Sequence, residues 1–146
     1  MNPDPAEDRF RTAARAYLGY GVVYWVGGLY LWLHGVGRGS VLSVVWILLG
    51  AVLVLLIPFL LRRRRPWFER WILSRRDFAR LVAVFMAFRV LGVARVVFRA
   101  ETATVASPWG GVITYRLGGA VFMVVTLVAL AVVARAAWQP EVKTVK

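Results

Sequence analysis

The stretch Arg62-Arg63-Arg64-Arg65-Pro66-Trp67-Phe68-Glu69-Arg70-Trp71-Ile72-Leu73-Ser74-Arg75-Arg76 decides how this chain is organised, because it sets seven arginines directly behind the apolar run 41–61. Arginine held beside a hydrocarbon slab stays on the side from which it is not translocated, so the cluster orients every other segment. It reads as the cytoplasmic hinge of a membrane protein. Within it, Trp67, Phe68, Trp71 and Ile72 fall at i, i+1, i+4 and i+5, with Glu69, Arg70 and Ser74 off that face. The spacing predicts a short helix in the headgroup layer, aromatics toward hydrocarbon and charges toward water. Each arginine near an anionic leaflet contributes about 1 kcal/mol. Arg62, Arg63, Arg64, Arg65, Arg70, Arg75 and Arg76, with Trp67 and Trp71, therefore form a candidate site for anionic phospholipid headgroups. A plain topology anchor is the simpler reading of the same residues.

Composition agrees with a membrane protein. The 146 residues are 60% apolar, with seven tryptophans and a mean hydropathy of +0.67, whereas soluble domains are about half apolar. The net charge of +12 raises the question of nucleic acid. The 17 arginines and two lysines gather at the ends of apolar runs instead of striping one face, which argues against it. With no cysteine, disulfides, thiolate metal sites and a cysteine nucleophile are excluded. A secretory signal peptide is not expected, since the first apolar run is long and has no small-residue cleavage site behind it.

Four spans are predicted, at about 16–36, 41–61, 81–98 and 117–134, in one all-α domain covering 1–146. Ahead of the first, Asp4 is placed to cap a helix and Pro5 to begin it. Tyr17 and Tyr20 mark the inner interface of the first span, Tyr30 and Trp32 the outer. Gly21, Gly28 and Gly35 recur every seven residues, a drift of only about 20° per step on a helix. They make a groove without side chains, suited to close helix packing or to a flat ligand. His34 to Ser40 form a glycine-rich outer turn. Between the last two spans, β-branched residues on both sides of Pro108-Trp109-Gly110-Gly111 predict a small hairpin or cap on the outer surface.

The third span is the ambiguous one. Arg89 lies at its middle, where insertion costs about 2.5–3.5 kcal/mol, while Arg95 and Arg99 are near enough to its outer end to snorkel. If it spans, both termini are cytoplasmic, 14 basic residues lie inside and three outside. If it only lies on the inner surface, the counts are 15 and four and the C-terminus is external. The four-span arrangement is preferred, because the alternative leaves a long apolar segment in the interface and puts Arg135, Lys143 and Lys146 outside.

Self-contained chemistry is hard to assemble from these residues. All seven carboxylates (Asp4, Glu7, Asp8, Glu69, Asp77, Glu101, Glu141) fall outside the predicted hydrocarbon region, so the acidic group that a proton pump or cation-coupled carrier uses is missing. No nucleophile set, paired carboxylates or phosphate loop is present. The single histidine, His34, rules out bis-histidine haem ligation within one chain. An enzyme is not expected, and no metal or cofactor is assigned. Arg89 needs a partner that the chain does not offer in the membrane. Two readings follow. In the first, the protein is a non-catalytic accessory subunit of a larger bacterial inner-membrane complex, respiratory or transport, and Arg89, Arg95 and Arg99 contact other subunits, lipid or an anion. In the second, it is a small homo-oligomeric anion channel or carrier lined by the same three arginines.

Overall fold

The computed structural model of the chain describes residues 5–35, 41–99 and 103–139. The expected cap at Asp4, the turn from Val36 to Ser40, and Glu101, Glu141, Lys143 and Lys146 lie outside them. Of the described residues, 83% are helical. The elements run α1 (Pro5–Leu33), α2 (Val41–Arg62), α3 (Pro66–Trp71), α4 (Arg75–Phe98), β1 (Thr104–Ala106), β2 (Val112–Thr114) and α5 (Tyr115–Trp138).

Three helices are long and apolar enough to cross a membrane: α2 from Ser43, α4 and α5. The segment in doubt from sequence is thus the upper part of one unbroken helix, α4, which starts at the arginine pair Arg75–Arg76. At 1.5 Å per residue it is about 36 Å long, enough for a core of about 30 Å. Ser74 starts α4 by accepting the Asp77 amide at 3.1 Å, which satisfies one of the orphan donors of a helix N-terminus. Thr114 does the same for α5, accepting from the Leu117 amide at 3.3 Å. Helix α1 runs without a break from Pro5, but with its tyrosines, tryptophans and glycines it is not among the helices apolar enough to cross by composition.

The predicted hairpin forms, with Thr104 opposite Thr114 and Ala106 opposite Val112. Gly110 and Gly111 turn it at φ +92° and +81°, angles that disfavour any side chain. The Tyr30 hydroxyl donates to the Ala106 carbonyl at 2.7 Å, fastening the hairpin to the end of α1. One end of the bundle is therefore the hairpin end and the other, at Arg62–Arg65, the arginine-rich end.

The long helices lie in the order α4, α5, α1, α2, each packed on the next. Val97 beside Gly119, and Arg76 beside Ala137, make α4 and α5 antiparallel. Gly21 against Val54 and Trp25 against Gly50 do the same for α1 and α2. Helices α2 and α4 scarcely meet. The buried core is concentrated toward the arginine-rich end, where Ala13, Ala14, Ala79, Ala83, Ala136 and Ala137 join Leu61 and Val133. Small side chains let the helix backbones approach closely there.

The aromatic face predicted for the arginine-rich hinge is divided. Phe68 is buried, its ring 5.3 Å from that of Phe78, while Trp67, Trp71 and Ile72 are exposed. Helix α3 ends at Trp71, so Ile72 falls at its C-cap instead of on the same helical face.

Candidate functional site

Because α2 and α4 scarcely meet, a cleft opens between them over α1. Its hairpin-end chamber, of about 670 Å³, is floored by α1 and walled by α2. A second chamber of about 650 Å³ continues toward the arginine-rich end, between α2, α3 and α4. Tyr17, Tyr20, Trp46, Leu53 and Arg89 line both chambers, so they form one groove with Arg89 at the junction.

The floor is built from a stripe of α1. Tyr17, Tyr20 and Tyr24 follow one another at i, i+3 and i+7, with ring centroids 5.5 and 5.8 Å apart. Tyr24 also meets Phe122 of α5 edge-on at 5.6 Å, and the Phe122 ring fills the space a side chain at Gly27 would need. Trp25 crosses to α2, its indole N–H donating to the Ile47 carbonyl at 3.0 Å. These contacts hold the floor rigid from both sides.

Arg89 reaches over that floor from α4, its Cζ 4.3 Å from the centre of the Tyr24 ring. A guanidinium over an aromatic face gains about 0.5–2 kcal/mol, more where water is excluded. The contact satisfies one face of the cation and leaves its N–H fork without an acid. The side chain is exposed to the groove. Among the described residues the two ion pairs, Arg75 with Glu7 and Arg80 with Asp77, both lie toward the arginine-rich end.

The residues singled out from sequence have separate fates. Arg95 and Arg99 are exposed near the hairpin end of α4 and line neither chamber, so only Arg89 of the three belongs to the cleft. Gly21 is a packing glycine, since a Cβ there would lie 2.9 Å from Val54 Cγ2. Gly28 lines the cleft with open space above it. Gly35 turns the chain at φ +89°. The heptad of glycines is therefore one packing site, one notch and one turn.

The arginine cluster divides in the same way. Arg75 is 6% exposed and lies over the Phe10 ring, with Glu7 at 3.6 Å. Arg76 donates to the carbonyls of Ala137 and Gln139, each at 3.1 Å, and so satisfies acceptors at the C-terminus of α5. Both tie helices together. Arg62, Arg63, Arg64 and Arg70 are exposed, and Arg65 is partly covered, with its Cζ 4.2 Å from the Phe59 ring centre. Tyr24 and Trp46 are among the cleft residues not singled out from sequence. The i, i+3, i+7 tyrosine stripe was the available signal for the first.

No protein-family model, curated protein or solved structure matches this chain.

Proposed function

We propose that this chain is a four-span membrane protein, with α1 as the additional span and both termini cytoplasmic, acting as a non-catalytic accessory subunit of a larger bacterial inner-membrane complex, respiratory or transport. The single observation that carries the reading is Arg89, which faces an open, apolar cleft halfway along the bundle with an aromatic ring as its protein contact. A cation at that depth normally faces a polar or acidic group, and the cleft leaves room for one from a neighbouring subunit. The four-span arrangement draws on the packing of α1 along both α2 and α5. It also draws on Arg15, Arg62, Arg80 and Arg135 standing at one end of the four long helices. Helix α3 then lies in the cytoplasmic headgroup layer, with Trp67 and Trp71 toward lipid.

The test is the mass and composition of the particle released from its native membrane by mild detergent. Co-purification with different subunits in fixed ratio, lost in Arg89→Ala while the bundle stays folded, is the expected result. A particle holding only copies of this chain refutes the accessory role and moves the anion-channel reading forward. Anion flux in liposomes, sensitive to Arg89→Ala, is then the measurement that decides.

A further inference from the structure

The cleft is not uniform along its length. Toward the arginine-rich end its walls are Leu56 and Leu60 on α2 and Leu81 and Phe85 on α4, with polar groups confined to Arg89 and the tyrosines at the junction. From Leu60 to Trp46 the chamber follows α2 for about 21 Å at 1.5 Å per residue. That exceeds the roughly 15 Å of hydrocarbon belonging to one leaflet. Leu60 and Phe68 both line this chamber, and the segment 61–67 that joins them carries Arg62–Arg65. The polybasic run is therefore held at the chamber's own mouth.

We propose that this half of the cleft is a one-to-one seat for an acidic phospholipid of the cytoplasmic leaflet, its phosphate on Arg62–Arg65 and an acyl chain between α2 and α4. Charge complementarity selects the acid: between Arg62 and Arg70 five arginines stand against one carboxylate, Glu69. Arg62, Arg63 and Arg64 are exposed, so a phosphate oxygen brought to the mouth meets accessible donors. Arg75 and Arg76 take no part, since Glu7 and the end of α5 already hold them. The position of α3 favours lipid over a partner helix. Phe68, Ile72 and Leu73 border this end of the chamber, where a continuous helix would have to pass out, whereas an acyl chain entering sideways ends there at its glycerol. The proposal rests on the four-span orientation and not on any partner subunit, so a chain purified free of other proteins still serves to test it.

The experiment is native mass spectrometry of the full chain in detergent, supplied with equal amounts of phosphatidylglycerol and phosphatidylcholine. One phosphatidylglycerol is expected to be retained, preferred by roughly tenfold or more, given the attraction of each arginine to an anionic headgroup. The variant R62Q/R63Q/R64Q/R65Q is expected to lose that preference. Leu56→Trp, which fills the chamber from a half-exposed position, is expected to lower retention about tenfold with the arginines intact. Leu81→Trp serves the same purpose should Leu56→Trp misfold. If the fourfold variant does not fold, salt replaces it, since the preference must shrink as added salt screens the mouth. Equal retention of the two lipids, binding without saturation at one, or a preference indifferent to salt overturns the seat. Retention unchanged by filling the chamber, or displacement by millimolar inorganic phosphate, overturns it also, because the arginines then act as surface charge alone.

Discussion

The two ends of the groove between α2 and α4 are set against very different surroundings. Next to the arginine-rich end, alanines from α1, α4 and α5 close a core in which Leu61 and Val133 are fully buried. Arg75 and Arg76 stitch the start of α4 to α1 and α5. Around Arg89, by contrast, α1, α2 and α4 leave open a cleft floored by tyrosines. The packed core and the open cleft are thus different parts of one small bundle, the first set by burial and the second the seat of the proposed contacts. Substitutions that respect or violate that division test it directly.

The largest effect is expected in the closed core. Leu61→Ala removes a fully buried side chain and should cost about 2–5 kcal/mol. Leu53→Ala, on the cleft wall and 37% exposed, should cost well under about 1 kcal/mol. Reversible unfolding in mixed micelles, followed by circular dichroism, measures both. Equal losses would mean that the cleft is packed as tightly as the core, and the comparison would collapse.

Arg75→Ala is expected to follow, at about 1–3 kcal/mol. Removing one partner of a buried pair strands the other, but Glu7 is 31% exposed and water compensates part of the loss. Arg64→Ala, fully on the surface side of the same cluster, should change unfolding by less than about 0.5 kcal/mol. The same measurement sharpens the division of the cluster into helix ties and headgroup contacts.

How much of this was legible beforehand depends on what each residue's role is set by. The extent of α2 follows from an apolar run closed by arginine, and the hairpin from Pro108-Trp109-Gly110-Gly111, because those signals are local. Arg89 stood out because a charge among apolar residues is visible without knowing its neighbours. Tyr24 and Gly27 did not, since the helix facing each side of α1 is decided by packing against α2 and α5. Arg75 and Arg76 looked like their neighbours in the cluster for a related reason: charge does not reveal which carboxylate or carbonyl will be met across the bundle.

Neighbouring glycines on α1 give a contrast of sign. A side chain at Gly27 would meet the Phe122 ring, while a methyl group at Gly28 would have nothing within 4 Å. Gly27→Ala should therefore destabilise by about 1–3 kcal/mol through overpacking. Gly28→Ala should be neutral or stabilising by up to about 1 kcal/mol, because alanine favours a helix over glycine. Unfolding midpoints of the two variants check the pair, and a loss in both would show that the cleft floor has no spare room at Gly28.

The smallest change in stability is expected where the functional effect is greatest. Arg89→Leu gives up the contact with Tyr24, about 0.5–2 kcal/mol. It also removes a cation whose placement at mid-span costs about 2.5–3.5 kcal/mol. The two terms oppose each other, and the second is reduced because the side chain is exposed to the open cleft, so the folded chain should be unchanged or slightly more stable, while association with a partner, or anion flux in the alternative reading, is lost. Unfolding and co-purification measured on the same preparation distinguish this from a structural role. A variant that unfolds easily and for that reason loses its partner would place Arg89 with Arg75 among the helix ties. A stable variant that binds as before would leave the cation as a snorkelling side chain, and the cleft would lose its connection to function.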